Sequence, residues 1–246
     1  MAETHFDDWT ATHMEVLWPE LYEASAIDPA VAFLAALAGS GGALEFGIGT
    51  GRVAIPLRRA GTAVHGIELS AAMAGRLHTD AGALSIGVTV GDFATSRVEG
   101  RFRLVYLVRN TITNLTTQAE QVLCFRNAAE HLEPGGHFVI ENYVPELRRL
   151  PPGETTHLFE VSPTHVGFET YDLARQIAVS THHWIVDGQH RQFSSPHRYV
   201  WPSELDLMAL MAGMVLVQRW ADWDRTAFDG ESRSHVSVWQ KPPGGR

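Results

Sequence analysis

The chain has 246 residues, 45% of them apolar, which suits one large domain or a core with one sizeable insertion and excludes wholesale disorder. Its formal net charge is −9, with Lys241 as the only lysine and no basic stripe, which argues against a nucleic-acid backbone as partner. No apolar run reaches the ~20 residues of a membrane-spanning helix. The acidic start MAETHFDDWT does not have the pattern of a secretory leader, so a cytoplasmic location is expected.

Residues 1–20 are polar with scattered aromatics, Phe6, Trp9 and Trp18. From Asp28-Pro29 the pattern turns helical, with Val31, Leu34 and Leu37 on one face, proline in the first turn and Gly39 past the end. Ala43–Phe46 reads as a short buried strand that runs into Gly47-Ile48-Gly49-Thr50-Gly51, and Arg52–Ala60 as a helix stopped by Gly61. The alternation repeats: strand Thr62–Glu68, a helix capped by Ser70 to about His78, strand Ser85–Val90 ending at Gly91-Asp92, and strand Phe102–Val108. Thr117-Gln118-Ala119-Glu120 has the pattern of a capping box and opens a helix to His131. Cys124, the one cysteine, falls in that helix and reads as a small buried hydrophobe; a disulfide framework and a cysteine metal cluster are excluded. Glu133-Pro134-Gly135-Gly136 reads as a turn before a fifth strand, His137–Glu141. Five strands separated by helices predict a parallel sheet covered on both faces.

Near residue 155 the pattern changes. His165–Tyr171, Gln176–Val186 and Arg191–Trp201 read as three strands with no helix between them, and Asp187-Gly188 is a hairpin-turn signal. They predict a small antiparallel β insertion, residues 151–201, covering the substrate pocket. It departs after the fifth strand, whose end lies on the ligand edge of such a sheet. The alternative role for the insertion, compatible with the first, is a contact between two copies in a homodimer, since an exposed sheet edge invites pairing. A helix Ser203–Ala212 capped by Ser203 and strands Met214–Trp220 and His235–Gln240 close the chain. The α/β core is then 1–150 with 202–246, and residues 1–40 form a helical N-terminal lid.

The chemistry gathers at strand ends. Glycines at a strand-to-helix turn allow a tight bend and let a ligand touch the backbone, and the next helix aims its first N–H groups there. Glu68, at the end of the second strand, can accept both hydroxyls of a ribose, or be a solvated acid. Asp92-Phe93, after the third, can meet an adenine edge, or form an ordinary Asx turn. Three such features at successive strand ends argue for one nucleoside-like ligand. A nicotinamide-dinucleotide fingerprint would place a third glycine where this chain has Arg52, which leaves an NAD-dependent oxidoreductase as the weaker alternative.

Over about residues 20–145 and, more loosely, 203–240, these motifs resemble the class I S-adenosyl-L-methionine (SAM)-dependent methyltransferases. Leu44-Glu45-Phe46-Gly47-Ile48-Gly49-Thr50-Gly51-Arg52 is similar to the family's first motif, Ile67-Glu68-Leu69-Ser70 with Met73 to its second, and Gly91-Asp92-Phe93-Ala94 to its third. Leu107-Val108-Arg109-Asn110-Thr111 matches the fourth, and 132–141 the turn and strand that follow. The resemblance implies a Rossmann-like doubly wound sheet with a reversed last strand. It implies that Gly47, Gly49 and Gly51 approach the methionine part of SAM and that Glu45 orients the loop or meets the ammonium through water. Glu68 would hold the ribose, Leu69 and Met73 flank adenine, Asp92 and Phe93 read its edge, and Val108 and Asn110 face the sulfonium. Trp18 and Tyr22 would form an aromatic lid, or simply pack.

Substrate-facing candidates are Arg109, Thr111 and Asn114 after the fourth strand and Asn142-Tyr143 after the fifth. Arg109 can clamp a carboxylate or stand as a solvated surface arginine. His197 and Tyr199 alternate onto one face of a strand and, with Tyr143, are the candidates for a base. His182 and His183 point to opposite faces, and no carboxylate set stands at ligand spacing, so no metal is expected. The layout is similar to small-molecule methyltransferases, including amino-sugar N-methyltransferases of antibiotic pathways. It implies an N- or O-methyltransferase of a small acceptor in natural-product tailoring, releasing S-adenosyl-L-homocysteine; a non-catalytic SAM-binding module is the alternative.

Overall fold

The computed structural model describes residues 7–82 and 84–244; Phe6 and the outermost ends of the expected core lie outside them. Helix α1 (Asp8–Leu17) opens on Asp7, whose carboxylate accepts the Thr10 N–H at 2.8 Å. A 3-10 turn, Pro19–Tyr22, leads into α2 (Ala24–Ala38). This helix starts a turn earlier than the Asp28-Pro29 pattern predicts: the Glu23 carbonyl accepts the Ile27 N–H, and Pro29 sits in the second turn, where it has no N–H to give the Ser25 carbonyl.

Then come β1 (Ala43–Phe46), α3 (Ala54–Arg59), β2 (Val64–Glu68), α4 (Ala71–Ala81), β3 (Gly87–Val90), β4 (Phe102–Leu107), α5 (Gln118–His131) and β5 (Leu132–Tyr143). The capping box of α5 is present, with the Glu120 N–H donating to Thr117 and the Thr117 N–H to Glu120. The inserted strands are β6 (Thr156–Val161), β7 (His165–Asp172), β8 (Ile177–Val186) and β9 (Gln189–Arg198). Helix α6 (Pro202–Met211) and strands β10 (Val215–Trp220) and β11 (Ser234–Gln240) follow.

Seven strands form the core sheet in the order β3-β2-β1-β4-β5-β11-β10. Strands β1 to β5 are parallel, and β11 runs antiparallel to β5, the reversed strand that the motifs imply. Alternation along β1 divides the core. Leu44 and Phe46 join Phe125, Phe138 and Trp239 on one face, while Ala43 faces Phe33, Leu34 and Tyr106 on the other. Cys124 is buried in the first cluster.

Two local readings change. Residues 133–136 are not a free turn but a bulge within β5. The register with β4 slips between Phe102 and Leu104, Gly135 takes a φ of 79°, and its N–H donates to the Lys241 carbonyl. Helix α6 is opened by Pro202 rather than capped by Ser203, and the Trp201 N–H donates to the Glu204 carboxylate.

The insertion has four strands, not three, in the order β6-β7-β8-β9. β6 is a mostly exposed edge strand, so it lacks the inside–outside alternation that marks its neighbours. Asp187 and Gly188, at φ 50° and 71°, make the two-residue turn between β8 and β9. β9 stops at Arg198, three residues before the Trp201 end that the pattern predicts, because Arg198 turns into the protein. Its guanidinium donates to Gln121 Oε1, to Gln176 Oε1 at 2.9 Å and to Glu204 Oε1 at 3.0 Å. Gln121 in turn donates to the carbonyls of Ile112, Leu115 and Arg198. This buried junction ties the inserted sheet to α5 and α6. Removing one partner of a buried pair costs about 3–5 kcal/mol, so Arg198→Ala should lower unfolding stability by that order in urea titration; a loss under 1 kcal/mol would show that the junction is not holding the fold.

Candidate active site

The carboxyl ends of β1 to β4, the Pro19–Tyr22 turn and the inner face of the inserted sheet enclose one cavity of about 580 Å³, within the range of small-molecule sites. Its floor is the glycine loop. Gly47, Gly49 and Gly51 all have positive φ, at 70°, 58° and 85°. A Cβ on Gly47 would lie 2.5 Å from Thr111 Cγ2, and one on Gly51 3.0 Å from Leu77, so the loop can pass beneath a ligand only as glycine.

Glu68 holds the loop to the end of β2, its carboxylate accepting the Gly49 and Ser70 N–H groups at 2.8 Å each. Burial raises its pKa above the usual carboxylate range, while those N–H donors pull it back. Glu45 is buried beneath the loop and accepts the Tyr106 hydroxyl at 2.8 Å. Burial pushes its pKa to about 8, against the opposing pull of Tyr106 and Arg52.

Leu69, Met73, Asp92, Phe93 and Val108 all line the cavity. Asp92 closes an Asx turn, accepting the Ala94 N–H at 2.8 Å, and borders the cavity. Arg109 and Asn110 have positive φ, at 53° and 61°. That kink is pinned to β5: the Arg109 N–H donates to Glu141 and the Tyr143 N–H to Asn110 Oδ1. It brings Arg109, Asn110, Thr111 and Asn114 to the cavity wall.

Above the loop, the Tyr22 hydroxyl lies 3.3 Å from Thr50 Oγ1. Trp18 stands edge-on to Trp184 and His182 of the inserted sheet, at ring distances of 5.2 and 6.0 Å. The N-terminal segment and the insertion therefore meet over the cavity.

Three expected residues do not line it. Gly51 turns the loop on its far side, where a Cβ would meet Leu77 and Ile55. Asn142 alternates to the face opposite Tyr143, fully buried, and donates to the Tyr143 carbonyl. Tyr199 follows the end of β9 and packs against Tyr171 behind the cavity wall. Tyr143 and His197 do line it. His197 Nε2 is 2.8 Å from Ser195 Oγ and Nδ1 is 3.5 Å from Thr113 Oγ1. His182 and His183 point to opposite faces, the first paired with His165 and the second with His190. Burial first, then His165, His197 and His183, lowers the His182 pKa to about 4.

The inner face also supplies His157, Phe159, Glu169, Tyr171, Ser180, Phe193 and Ser195, none of them assigned to the pocket from sequence. Alternation along β7, β8 and β9 was the available signal; which face turns inward was not.

Residues 43–136 match a family described as a methyltransferase domain. No curated protein matches the sequence. Among solved structures, the CcbJ methyltransferase from Streptomyces caelestis is 37% identical, over 92% of this chain and 96% of that one, with a TM-score of 0.80. The chain belongs to the SAM-dependent methyltransferases. SAM-bound CalS10 from Micromonospora echinaspora, an amino pentose methyltransferase, has the same fold at 21% identity, covering 98% of this chain and 99% of that one at a TM-score of 0.70. Streptomyces venezuelae DesVI is 18% identical over 97% and 99% of the two chains, with a TM-score of 0.71. As in this family, the methyltransferase uses SAM, which brings an electrophilic methyl on a sulfonium; the residues here fit it, with a backbone-lined loop and a carboxylate at the end of β2.

Glu45 keeps its proton in the folded state up to about pH 8, whereas in the unfolded chain it would lose it near 4.5. The folded state then binds the extra proton between those values, so stability falls as pH rises through the window. The ligand-free methyltransferase should have a lower Tm at pH 8 than at pH 5.5, and Glu45→Gln should reduce that difference; an equal pH dependence in the variant would show that Glu45 is not its source.

Proposed function

We propose that this methyltransferase transfers the SAM methyl to a nitrogen of a small acceptor in natural-product tailoring, with residues 151–201 as the roof of the acceptor pocket. The observation that supports it most directly is the single cavity whose floor is the glycine loop and whose roof is the inner face of the inserted sheet. Neighbours with this architecture include a sugar N-methyltransferase from Streptoalloteichus and a glycopeptide N-methyltransferase. The cofactor set we assign is Gly47 and Gly49 along the methionine part, with Gly51 turning the loop behind them, Glu45 beneath its ammonium, Glu68 on the ribose, Leu69, Met73, Asp92 and Phe93 around adenine, and Val108 and Asn110 toward the sulfonium. Trp18 and Tyr22 cover it.

The acid–base geometry favours nitrogen over oxygen. Burial, and then the charge of Glu169, hold the Tyr143 hydroxyl well above its ordinary pKa, which makes it a donor rather than a base. Tyr199 is outside the cavity. His197, against Ser195 and Thr113, is left to take a proton, which an ammonium gives up far more readily than an alcohol, whose proton must be drawn off in the transfer step itself. Once the amine has lost that proton, its lone pair forms the N–C bond as the C–S bond breaks, and the electron pair stays on sulfur. Holding the reactants in line supplies much of the rate. Arg109, Thr111 and Asn114 are placed to contact the acceptor.

Release of S-adenosylhomocysteine should be seen with amino-bearing acceptors and not with their hydroxyl counterparts, and His197→Ala should lower kcat by about 10²–10⁴-fold. Turnover of hydroxyl acceptors alone would refute the nitrogen assignment, and no turnover with any acceptor despite SAM binding would favour a non-catalytic SAM-binding module. Hydrogen bonds to a charged group contribute about 1.5–3 kcal/mol each, so Glu68→Ala should weaken S-adenosylhomocysteine binding at least tenfold in calorimetry; unchanged affinity would remove Glu68 from the ribose site.

A further inference from the structure

The inner face of the inserted sheet carries a polar row that crosses all four strands. His157 on β6 stands opposite Glu169 on β7, Glu169 opposite Ser180 on β8, and Ser180 opposite Ser195 on β9. All four line the cavity. Side chains in directly opposed positions are about 4.5–5.5 Å apart at Cβ, so the row is a continuous ribbon of hydroxyl, imidazole and carboxylate groups. Aromatic walls bound it on both sides. Phe159, His182 and Phe193 lie on one flank, and Tyr171 and Tyr143 on the other.

Among the described residues, no cationic side chain pairs with Glu169. The other carboxylate in this half of the cavity, Glu146, is paired with Arg149 and Arg233 at 2.9 and 3.3 Å. The carboxylates of the cofactor half hold backbone N–H groups or the Tyr106 hydroxyl. Among the described residues, Glu169 is bonded only to the Tyr171 hydroxyl, and no ion pair joins it to His157 across the strands. A partly buried carboxylate with a neutral partner calls for a cation. His182, on the adjoining row, is held neutral at physiological pH and does not repel one. Close by, the Tyr143 hydroxyl is shielded from solvent and has no hydrogen-bond partner among the described residues, although the Glu169 charge reaches it.

We infer that Glu169 is the specificity-determining residue for the acceptor, its carboxylate taking the ammonium of a hydroxylated amine whose hydroxyls bond along Ser180 and Ser195 and to Tyr143. Glu169 selects the amine before its proton is lost; it is not the base. The inference deepens the nitrogen assignment above and rests on it. It names a residue outside the cofactor set, which lets the two be tested apart.

The probes are a matched pair, the methyl glycoside of an amino hexose and the same glycoside with a hydroxyl in place of the amine, titrated into the protein saturated with S-adenosylhomocysteine. The wild type should bind the amino probe at least tenfold more tightly than the hydroxyl probe. Glu169→Gln should abolish that preference while leaving S-adenosylhomocysteine affinity unchanged, and Glu169→Asp should restore part of it. The wild-type comparison stands even if the Gln variant folds poorly. An amino preference that persists in Glu169→Gln, a preference for the hydroxyl probe, or no binding of the amino probe to the cofactor-loaded protein would overturn the inference. Failure of S-adenosylhomocysteine itself to bind would instead strike the methyltransferase reading beneath it.

Discussion

The arrangement of this protein over its cofactor edge depends on one buried cation. Arg198 stands where the inserted sheet returns to the core, and its guanidinium meets Gln121 of α5, Gln176 ahead of β8 and Glu204 of α6. A guanidinium is always charged and presents its donors in a rigid fork, so it fixes the angle between the elements it joins. Burying it is costly unless every donor is met. The side-chain oxygens of Gln121, Gln176 and Glu204 take three hydrogen bonds from it, and Gln121 extends the network to the Arg198 carbonyl at the end of β9. With that hinge point set, the inner face of the inserted sheet is held above the glycine loop rather than left to swing.

A second constraint acts from below. Parallel strands end on one edge, and each carries its loop outward there. The loop after β1 is held by Glu68 from β2, and the kink after β4 by Glu141 and Tyr143 of β5. The same carboxylates and amides that shape the floor are the groups a nucleoside needs. The roof is joined to this floor at its far side by Trp18, which reaches from the N-terminal segment to Trp184 and His182. Floor and roof thus share contacts at both ends of the cavity.

Much of the core was legible in the residues. Short buried strands, glycine stops, the Thr117 capping box and the Asp187-Gly188 turn are local signals with local causes, and each is found where the pattern placed it. The misreadings have tertiary causes. The bulge at Gly135 exists because a neighbouring strand offers the Lys241 carbonyl, and β6 is a strand because β7 pairs with it, not because its own residues alternate. Tyr199 left the site because Arg198 ended β9 one residue earlier.

The sequence by itself determined that this chain builds a parallel sheet with a glycine loop and two acids at successive strand ends, and so that it takes SAM. Those features are consecutive in the chain, and their spacing and chemistry carry the signal without knowledge of distant contacts. Only the folded sheet brings together the side chains that face the cavity opposite the glycine loop. Glu169, Ser180 and Ser195 come from three strands, and they share one row because of the register between those strands. A shift of one residue would turn each of them away. Register follows from pairing, and pairing from the whole sheet and its buried junction, so no window of sequence contains it.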